Sequence, residues 1–157
     1  DIAKYGYDFL ISFSYRYIIS KEILNYFKDK AINLHISYLP WNKGADPNLW
    51  SILENTPQGV TIHQMDYKLD AGQILYQKEI FFNDDDTLKS SYEKLQNELV
   101  ELFIEKWENI KYNKVTPKKQ KGIGSYHKSS NKNSYQELLT NGWNTKIKDL
   151  KGKAVND

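Results

Sequence analysis

The chain has 157 residues, of which 39% are hydrophobic and 14% aromatic, a composition that can fill the core of one domain. Its 22 basic and 20 acidic residues nearly balance, whereas nucleic-acid-binding proteins usually carry a clustered basic excess. The absence of cysteine excludes disulfides and thiolate chemistry. No apolar run approaches the roughly 20 residues of a membrane-spanning helix, and we expect a cytoplasmic protein that does not contact a membrane.

Short apolar segments and segments of helical periodicity alternate along the chain. The predicted strands are residues 8–14, 31–37, 59–65 and 73–80. Ser20 is a predicted helix N-cap between the first two strands, and Pro47 can open a second helix. The third helix has apolar residues at steps of three and four, namely Leu88, Tyr92, Leu95, Leu99, Leu102, Phe103, Trp107 and Ile110. This order predicts an α/β domain with a mostly parallel central sheet flanked by helices.

The chain becomes polar beyond the third predicted helix. We therefore expect a core over residues 1–113 and an extension over residues 114–157. Within the extension, residues 134–139 and 143–150 predict only short helices.

Polar residues interrupt two otherwise apolar or turn-forming stretches. Asn33 and His35 are two apart in a predicted strand and so share one face, and Asp70 lies in the turn L-D-A-G. Together, an amide, an imidazole and a carboxylate can stabilise an oxygen that gains negative charge and can move a proton. Taken singly, a strand histidine is more often a packed core residue, and D-A-G is an ordinary turn. We interpret His63 as structural and leave the role of His127 open.

Three segments, in this order, resemble the signature of the folate-dependent formyltransferase family. They are N-L-H-I-S-Y-L-P from residue 33, G-V-T-I-H from residue 59 and L-D-A-G from residue 69. The resemblance covers residues 8–80 and implies a Rossmann-like formyltransferase fold. It also implies 10-formyltetrahydrofolate as cosubstrate, with no metal.

The resemblance implies that Asn33, His35 and Asp70 are the catalytic residues. In that reading a protonated His35 and Asn33 stabilise the oxyanion that forms when an amine attacks the formyl group. Asp70 keeps His35 charged and helps to remove the proton of the amine.

The resemblance also places the folate along the loop that follows the first strand. The expected contacts are Tyr15, Tyr17 and Ile18 in this loop, with Leu69 from the later turn. The alternative for the three loop residues is an aromatic loop that packs on the core.

Within the family, residues 33–50 look most like the nucleotide-sugar N-formyltransferases. The purine and tRNA branches typically have Pro where this chain has Ile36, and Leu where it has Tyr38. The implied acceptor is the primary amine of a dTDP-linked amino-dideoxy sugar, used for surface polysaccharide such as the O-antigen of lipopolysaccharide. The expected acceptor contacts are Trp41, Asn42, Lys43 and Tyr126. Taken alone, Lys43 is more simply an exposed lysine.

Other readings of the sequence stay open. Methionyl-tRNA formyltransferase is the second interpretation, and glycinamide ribonucleotide transformylase fits the motifs less well. The family fold normally starts with a further β-α-β portion ahead of the strand at residue 8, so we expect this chain to be N-terminally truncated. A chain complete as written would instead be an inactive relative or an interaction module. By analogy with the family we also expect a homodimer.

Overall fold

A four-stranded sheet organises residues 2–154, the part of the chain that the computed structural model describes. Its strands, in spatial order, are β1 (Leu10–Phe13), β2 (Ala31–His35), β4 (Gly59–Gln64) and β5 (Ile74–Glu79). A second sheet pairs the short strands β3 (Lys43–Gly44) and β6 (Tyr126–His127). The α-helices are α1 (Lys21–Phe27), α2 (Pro47–Leu53) and α3 (Leu88–Lys111). The 3-10 helices span Ile2–Tyr5, Lys28–Lys30, Ser129–Leu138, Gly142–Asn144 and Ile147–Asp149.

The predicted β-α-β unit at the start of the chain is confirmed. Strands β1 and β2 are parallel, with Ser12 beside Asn33, and α1 connects them. The side chain of Ser20 accepts a hydrogen bond from the backbone N–H of Ile23, so this serine caps α1 as predicted.

The central sheet is mixed, which differs from the expected predominance of parallel strands. Only β1 and β2 run parallel in the described sheet, and β4 is antiparallel to both β2 and β5. The turn at residues 65–73 is too short for the crossover of a dozen or more residues that parallel neighbours need. Apolar patterning identifies strands but carries no information on their direction.

The long helix α3 covers one face of the sheet, as its periodicity predicts. Its N-cap is Thr87, which forms a reciprocal capping box with Ser90. The core comprises the buried residues Ile32, Leu34, Val60, Ile62, Ile80, Leu95, Leu99, Leu102 and Ile110. Burial of this apolar face accounts for most of the stability of a helix this polar on its other side.

Replacing Leu99 by alanine is expected to lower the free energy of unfolding by about 3 kcal/mol, because the side chain is fully buried and leaves a cavity. Urea denaturation monitored by circular dichroism measures this change. Ile104→Ala is the matched control on the same helix, since 69% of Ile104 is exposed. Equal losses in the two variants would contradict this account of the core.

The extension after α3 packs against the core. Ile74 and Lys118 exchange two backbone hydrogen bonds of 2.8 Å. Ile147 and Leu150 are buried against the side chains of α2. Residues 114–154 therefore share hydrogen bonds and a hydrophobic cluster with the predicted core. None of the helices in the described residues is both long and apolar enough to span a bilayer.

Candidate active site

The three residues singled out as catalytic lie together where β2 ends. The side-chain amide of Asn33 donates a hydrogen bond of 3.1 Å to Asp70 Oδ1. His35 Nε2 lies 3.8 Å from Asp70 Oδ2. His35 and Asp70 are both buried. The structure thus brings an amide, an imidazole and a carboxylate into contact, although they come from a strand and a turn 35 or more positions apart.

Asp70 lies on a turn that other segments hold in place. Its φ of 52° falls in the left-handed region, which residues with a side chain rarely adopt. The backbone N–H of Gly44 donates to Asp70 Oδ2 at 2.9 Å. A Cβ at Gly72 would lie only 1.7 Å from the carbonyl oxygen of Gln64, so this turn must have glycine there to lie against β4. The amide of Gln120 donates to the carbonyl oxygens of Asp70 and Gly72 at 2.7 and 2.9 Å.

His63 belongs to the same cluster, which differs from its interpretation as a structural residue. Its Nε2 lies 3.3 Å from the amide nitrogen of Asn33 and 3.5 Å from Asp70 Oδ1. Its Nδ1 lies 2.7 Å from the carbonyl oxygen of Gln64 and therefore carries a hydrogen. The antiparallel register of β2 and β4 sets His63 directly opposite Asn33. Strand pairing, had it been known from the sequence, would have identified His63.

The cluster favours an ionised carboxylate. Burial alone would raise the pKa of Asp70, but the rings of His35 and His63 and the N–H of Gly44 together hold it well below its usual range. All three of these groups, with Asn33, are within hydrogen-bonding or ion-pairing distance of the carboxylate oxygens. Asp70 therefore carries its negative charge at neutral pH.

Burial favours the neutral form of the His35 imidazole. Burial lowers its pKa below the ordinary value of 6.5, the Asp70 carboxylate partly opposes this shift, and His63 adds to it. Its Nε2 lies 3.1 Å from the carbonyl oxygen of Asn42, which only accepts hydrogen bonds, so Nε2 carries the hydrogen. Nδ1 is then a free acceptor, with no hydrogen-bond partner among residues 2–154. Burial thus disfavours the protonated imidazole that the resemblance implied.

Asn42 does not face solvent, in contrast to its predicted contact with an acceptor. Its side chain is fully buried and donates to Thr56 Oγ1 at 2.8 Å. The same side chain accepts from Ser125 Oγ at 3.0 Å. With every polar atom engaged inside the protein, Asn42 fixes the loop and orients His35 through its carbonyl oxygen.

The other predicted acceptor contacts lie along the paired strands β3 and β6. Lys43 pairs with Tyr126, and both Trp41 and Lys43 are partly exposed. Tyr126 is about half exposed and lies against Gly44. Lys43 is next to Gly44, whose N–H reaches Asp70, and contact of Trp41, Lys43 and Tyr126 with an acceptor stays a prediction.

Replacing Gly44 by alanine is expected to disrupt this pairing and to destabilise the protein. A Cβ there would lie 2.3 Å from the carbonyl oxygen of His127, and the φ of 86° adds strain. Gly122→Ala is the matched control, because Gly122 has a φ of 88° but open space around it. We expect a melting temperature lower for Gly44→Ala than for Gly122→Ala, with an excess destabilisation of about 2 kcal/mol from the clash. Equal melting temperatures for the two variants would show that the pairing of β3 with β6 does not stabilise the fold.

The predicted folate loop is exposed. Tyr17 and Ile18 are 76% and 87% exposed, and Tyr15 and Leu69 are about half exposed. Within the described residues, these loop side chains do not pack on the core. Because β1 and β2 are parallel, this loop leaves the sheet at the end that carries His35. It presents apolar surface beside the site, and folate binding there stays a prediction.

The ring of His127 stacks on Trp50 and makes none of the contacts of the carboxylate cluster. The two ring centroids are 3.9 Å apart and the planes differ by 6°. Its Nε2 lies 3.1 Å from Glu54 Oε1. These contacts give His127 a packing role between β6 and α2. Among residues 2–154 no group of three or more His, Cys, Asp or Glu is arranged to hold a metal ion.

A family model described as "Formyl transferase" matches residues 1–106. The chain therefore belongs to the formyl transferase family, and the resemblance and the fold predicted from the motifs are confirmed. The formyltransferase PseJ from Anoxybacillus kamchatkensis, solved with UDP-4,6-dideoxy-4-formamido-L-AltNAc and tetrahydrofolate, is 53% identical and superposes with a TM-score of 0.92. The match covers 94% of this chain and 78% of that one.

Other relatives are named for, or were solved with, different acceptors. The N-formyltransferase from Helicobacter canadensis, solved with folinic acid and dTDP-3-aminofucose, is 31% identical with a TM-score of 0.70, over 76% of this chain and 45% of that one. Methionyl-tRNA formyltransferases from Thermodesulfovibrio yellowstonii and Clostridium tetani are 41% and 32% identical, over 76% and 96% of this chain. The matches cover 39% and 48% of those two proteins, so this chain spans less than half of their length.

Proposed function

We propose that this chain carries the catalytic site of an enzyme that transfers a formyl group from 10-formyltetrahydrofolate to the primary amine of a nucleotide-linked amino sugar. The observation that carries the proposal is the buried, ionised Asp70 in contact with both Asn33 and His35. Formyl transfer to an amine needs a donor for an oxygen that becomes negative and an acceptor for a proton. The cluster offers both.

The folate supplies the formyl group when bound. In our proposal the exposed residues Tyr15, Tyr17 and Ile18 on one side and Leu69 on the other hold it beside the cluster. Their apolar and aromatic surfaces suit the faces of a flat heterocycle. The folate or formyl-folate in solved sugar formyltransferases supports the same ligand here.

His35 is the proposed acceptor of the amine proton. Its hydrogen is on Nε2, committed to the carbonyl oxygen of Asn42, and Nδ1 is free to accept. Asp70 makes the protonated imidazole easier to form, since its negative charge raises the pKa of His35 against the effect of burial. The pair therefore suits a proton that leaves the amine as its nitrogen bonds to the formyl carbon. The same proton passes to the folate nitrogen as the bond between that nitrogen and the formyl carbon breaks, which releases tetrahydrofolate.

Asn33 is the proposed donor to the formyl oxygen. Both hydrogens of its amide are engaged, with Asp70 Oδ1 at 3.1 Å and with His63 Nε2 at 3.3 Å. When folate is bound, the hydrogen that points to His63 would donate to the formyl oxygen instead, while the other hydrogen stays bonded to Asp70. His63 then serves as the resting partner of that hydrogen.

The acceptor that PseJ supports is a UDP-linked 4-amino-4,6-dideoxy sugar. PseJ, 53% identical over nearly the whole chain, binds a UDP-linked sugar with a 4-formamido group, the product expected from a 4-amino acceptor. The dTDP-linked sugar expected from the motifs has support from the H. canadensis enzyme at 31% identity. A role in surface polysaccharide synthesis, a cytoplasmic location and a homodimer stay predictions.

Methionyl-tRNA is the second candidate acceptor, favoured by the 41% identity to the T. yellowstonii enzyme. That match covers 76% of this chain, and the C. tetani enzyme matches 96% of it at 32% identity, whereas PseJ matches 94% at 53% identity.

The test uses the full-length protein with 10-formyltetrahydrofolate and follows release of tetrahydrofolate. The acceptors are a UDP-linked 4-amino-4,6-dideoxy sugar, a dTDP-linked 3-amino sugar, glycinamide ribonucleotide and methionyl-tRNA. Turnover with a nucleotide sugar that yields its formamide supports the proposal and identifies the nucleotide. Turnover with methionyl-tRNA and with no other acceptor would identify methionyl-tRNA as the acceptor and overturn the sugar proposal. A protein that neither turns over any acceptor nor binds folate would overturn both.

A further inference from the structure

We propose that Gln120 is a positioning residue that fixes the Asp70 carboxylate for formyl transfer, an inference that rests on the proposed function. Gln120 lies beyond residues 1–106, the part that matches the family, and fifty residues from Asp70 in the chain. Its side-chain amide nitrogen donates to the carbonyl oxygen of Asp70 at 2.7 Å and to that of Gly72 at 2.9 Å. One side chain thus clamps both ends of the D-A-G turn.

The turn needs such a clamp. Asp70 has a left-handed φ of 52°, a conformation that persists only where the surroundings impose it. Within the turn itself, the N–H of Ala71 donates to the carbonyl oxygen of Lys68 at a long 3.2 Å. The contacts from Gly44 and Asn33 reach the carboxylate and do not fix the backbone that carries it. Among residues 2–154, Gln120 is the side chain from another segment that donates hydrogen bonds to this backbone.

The segment that carries Gln120 is itself anchored. Two residues before it, Lys118 exchanges two backbone hydrogen bonds of 2.8 Å with Ile74 at the start of β5. The amide oxygen of Gln120 is buried and has no hydrogen-bond partner among the described residues. The amide is therefore held through its nitrogen alone, and the position requires a donor. A glutamate here would direct an oxygen at two carbonyl oxygens.

The kinetic test compares Gln120→Met and Gln120→Glu with the wild type, using the acceptor identified above. Methionine keeps the length of the side chain and removes the donor. We expect kcat to fall about 10- to 100-fold, because a shift of about 1 Å in a catalytic group costs that much, with little change in either KM. An unchanged kcat in both variants would overturn the proposal.

Asn48→Ala is the matched control for lost stability. The amide of Asn48 also donates two hydrogen bonds, to the Leu88 carbonyl oxygen at 3.1 Å and to Ser91 Oγ at 3.0 Å, between α2 and α3. We expect this variant to melt at a lower temperature and to keep its kcat. If it lost kcat as the Gln120 variants do, the effect at Gln120 would be one of general stability and the proposal would fail.

A second readout does not depend on turnover. The groups that face His35 are the Asp70 carboxylate, the ring of His63 and the carbonyl oxygen of Asn42. A carboxylate that moves away raises the pKa of His35 less, so NMR titration of its imidazole should shift to lower pH in Gln120→Met. The shift should vanish when the two proteins compared both carry Asp70→Asn. The imidazole resonances of His127, stacked on Trp50, should stay where they are.

The two readouts separate the two proposals. Wild-type protein that turns over no acceptor but shows the His35 shift in Gln120→Met would refute the proposed function and retain the clamp on Asp70. Wild-type turnover without any His35 shift or loss of kcat in the variants would refute the clamp and retain the function.

Discussion

Replacing His35 by asparagine is expected to lower kcat by about 100- to 10,000-fold, because the variant has no nitrogen that can take the proton of the amine. The rate of tetrahydrofolate release with saturating preferred acceptor measures this kcat. His127→Asn is the control, since the ring of His127 contacts Trp50 and Glu54 and none of the side chains of the carboxylate cluster. We expect it to keep most of the wild-type kcat. A His35→Asn variant with near-normal kcat would show that the proton leaves by another route.

The pH profile tests the protonation state of His35 in the same experiment. Burial lowers its pKa below 6.5, so a base at this position is already neutral at pH 7 and kcat/KM should be constant there. Activity should fall only as the pH drops through the lowered pKa of His35. An activity that rises on acidification would instead support a protonated His35 as the donor to the oxyanion.

Replacing Asp70 by asparagine is expected to lower kcat by about 100- to 1,000-fold, because the neutral side chain no longer stabilises a protonated His35 and misaligns Asn33. The acidic limb of kcat/KM should also move to lower pH, since the Asp70 charge raises the pKa of His35. Asp85→Asn is the control, because Asp85 is an exposed aspartate paired with Lys146 and Lys148. If the acidic limb of kcat/KM stayed at the same pH, the Asp70 charge would not act on His35.

Asp70 also links stability to pH. Its folded pKa is depressed, so the ionised carboxylate stabilises the fold above the unfolded value of about 3.8, and this contribution is lost as the pH falls through the lower folded pKa. The Asp70→Asn variant should therefore unfold more easily than wild type at pH 7. Thermal melts recorded from pH 7 downward should show this difference shrinking in the acid range. A constant difference at every pH would contradict the link.

Local signals in the sequence were sufficient for the helices and for part of the site. Ser20 caps α1 as predicted, and Thr87, which was not among the predicted caps, caps α3 with a hydrogen bond of the same short range. Asn33 and His35 share a face because side chains alternate along a strand, whatever the strand pairs with.

The missing parts of the prediction depend on pairing between distant segments. His63 joins the cluster through the register of β4 on β2, and Gln120 through a segment fifty residues beyond Asp70. Asn42 was predicted to contact the acceptor because the resemblance places its loop beside the amino sugar, yet its partners Thr56 and Ser125 are remote in sequence and enclose it. The directions of β4 and β5 follow from the same long-range geometry. No local pattern encodes these relations.

The pairing of strands β3 and β6 limits how acceptor specificity can be transferred from one family member to another by grafting segments. Lys43 N–H donates to the carbonyl oxygen of Ser125 at 3.0 Å, and Ala45 N–H donates to that of His127 at 2.9 Å. Two stretches far apart in the gene thus form one physical unit beside the carboxylate. A chimera that takes only the loop at residues 39–46 from another family member would combine β3 of one protein with β6 of the other. We expect grafts to work only when residues 120–127 are moved together with the loop.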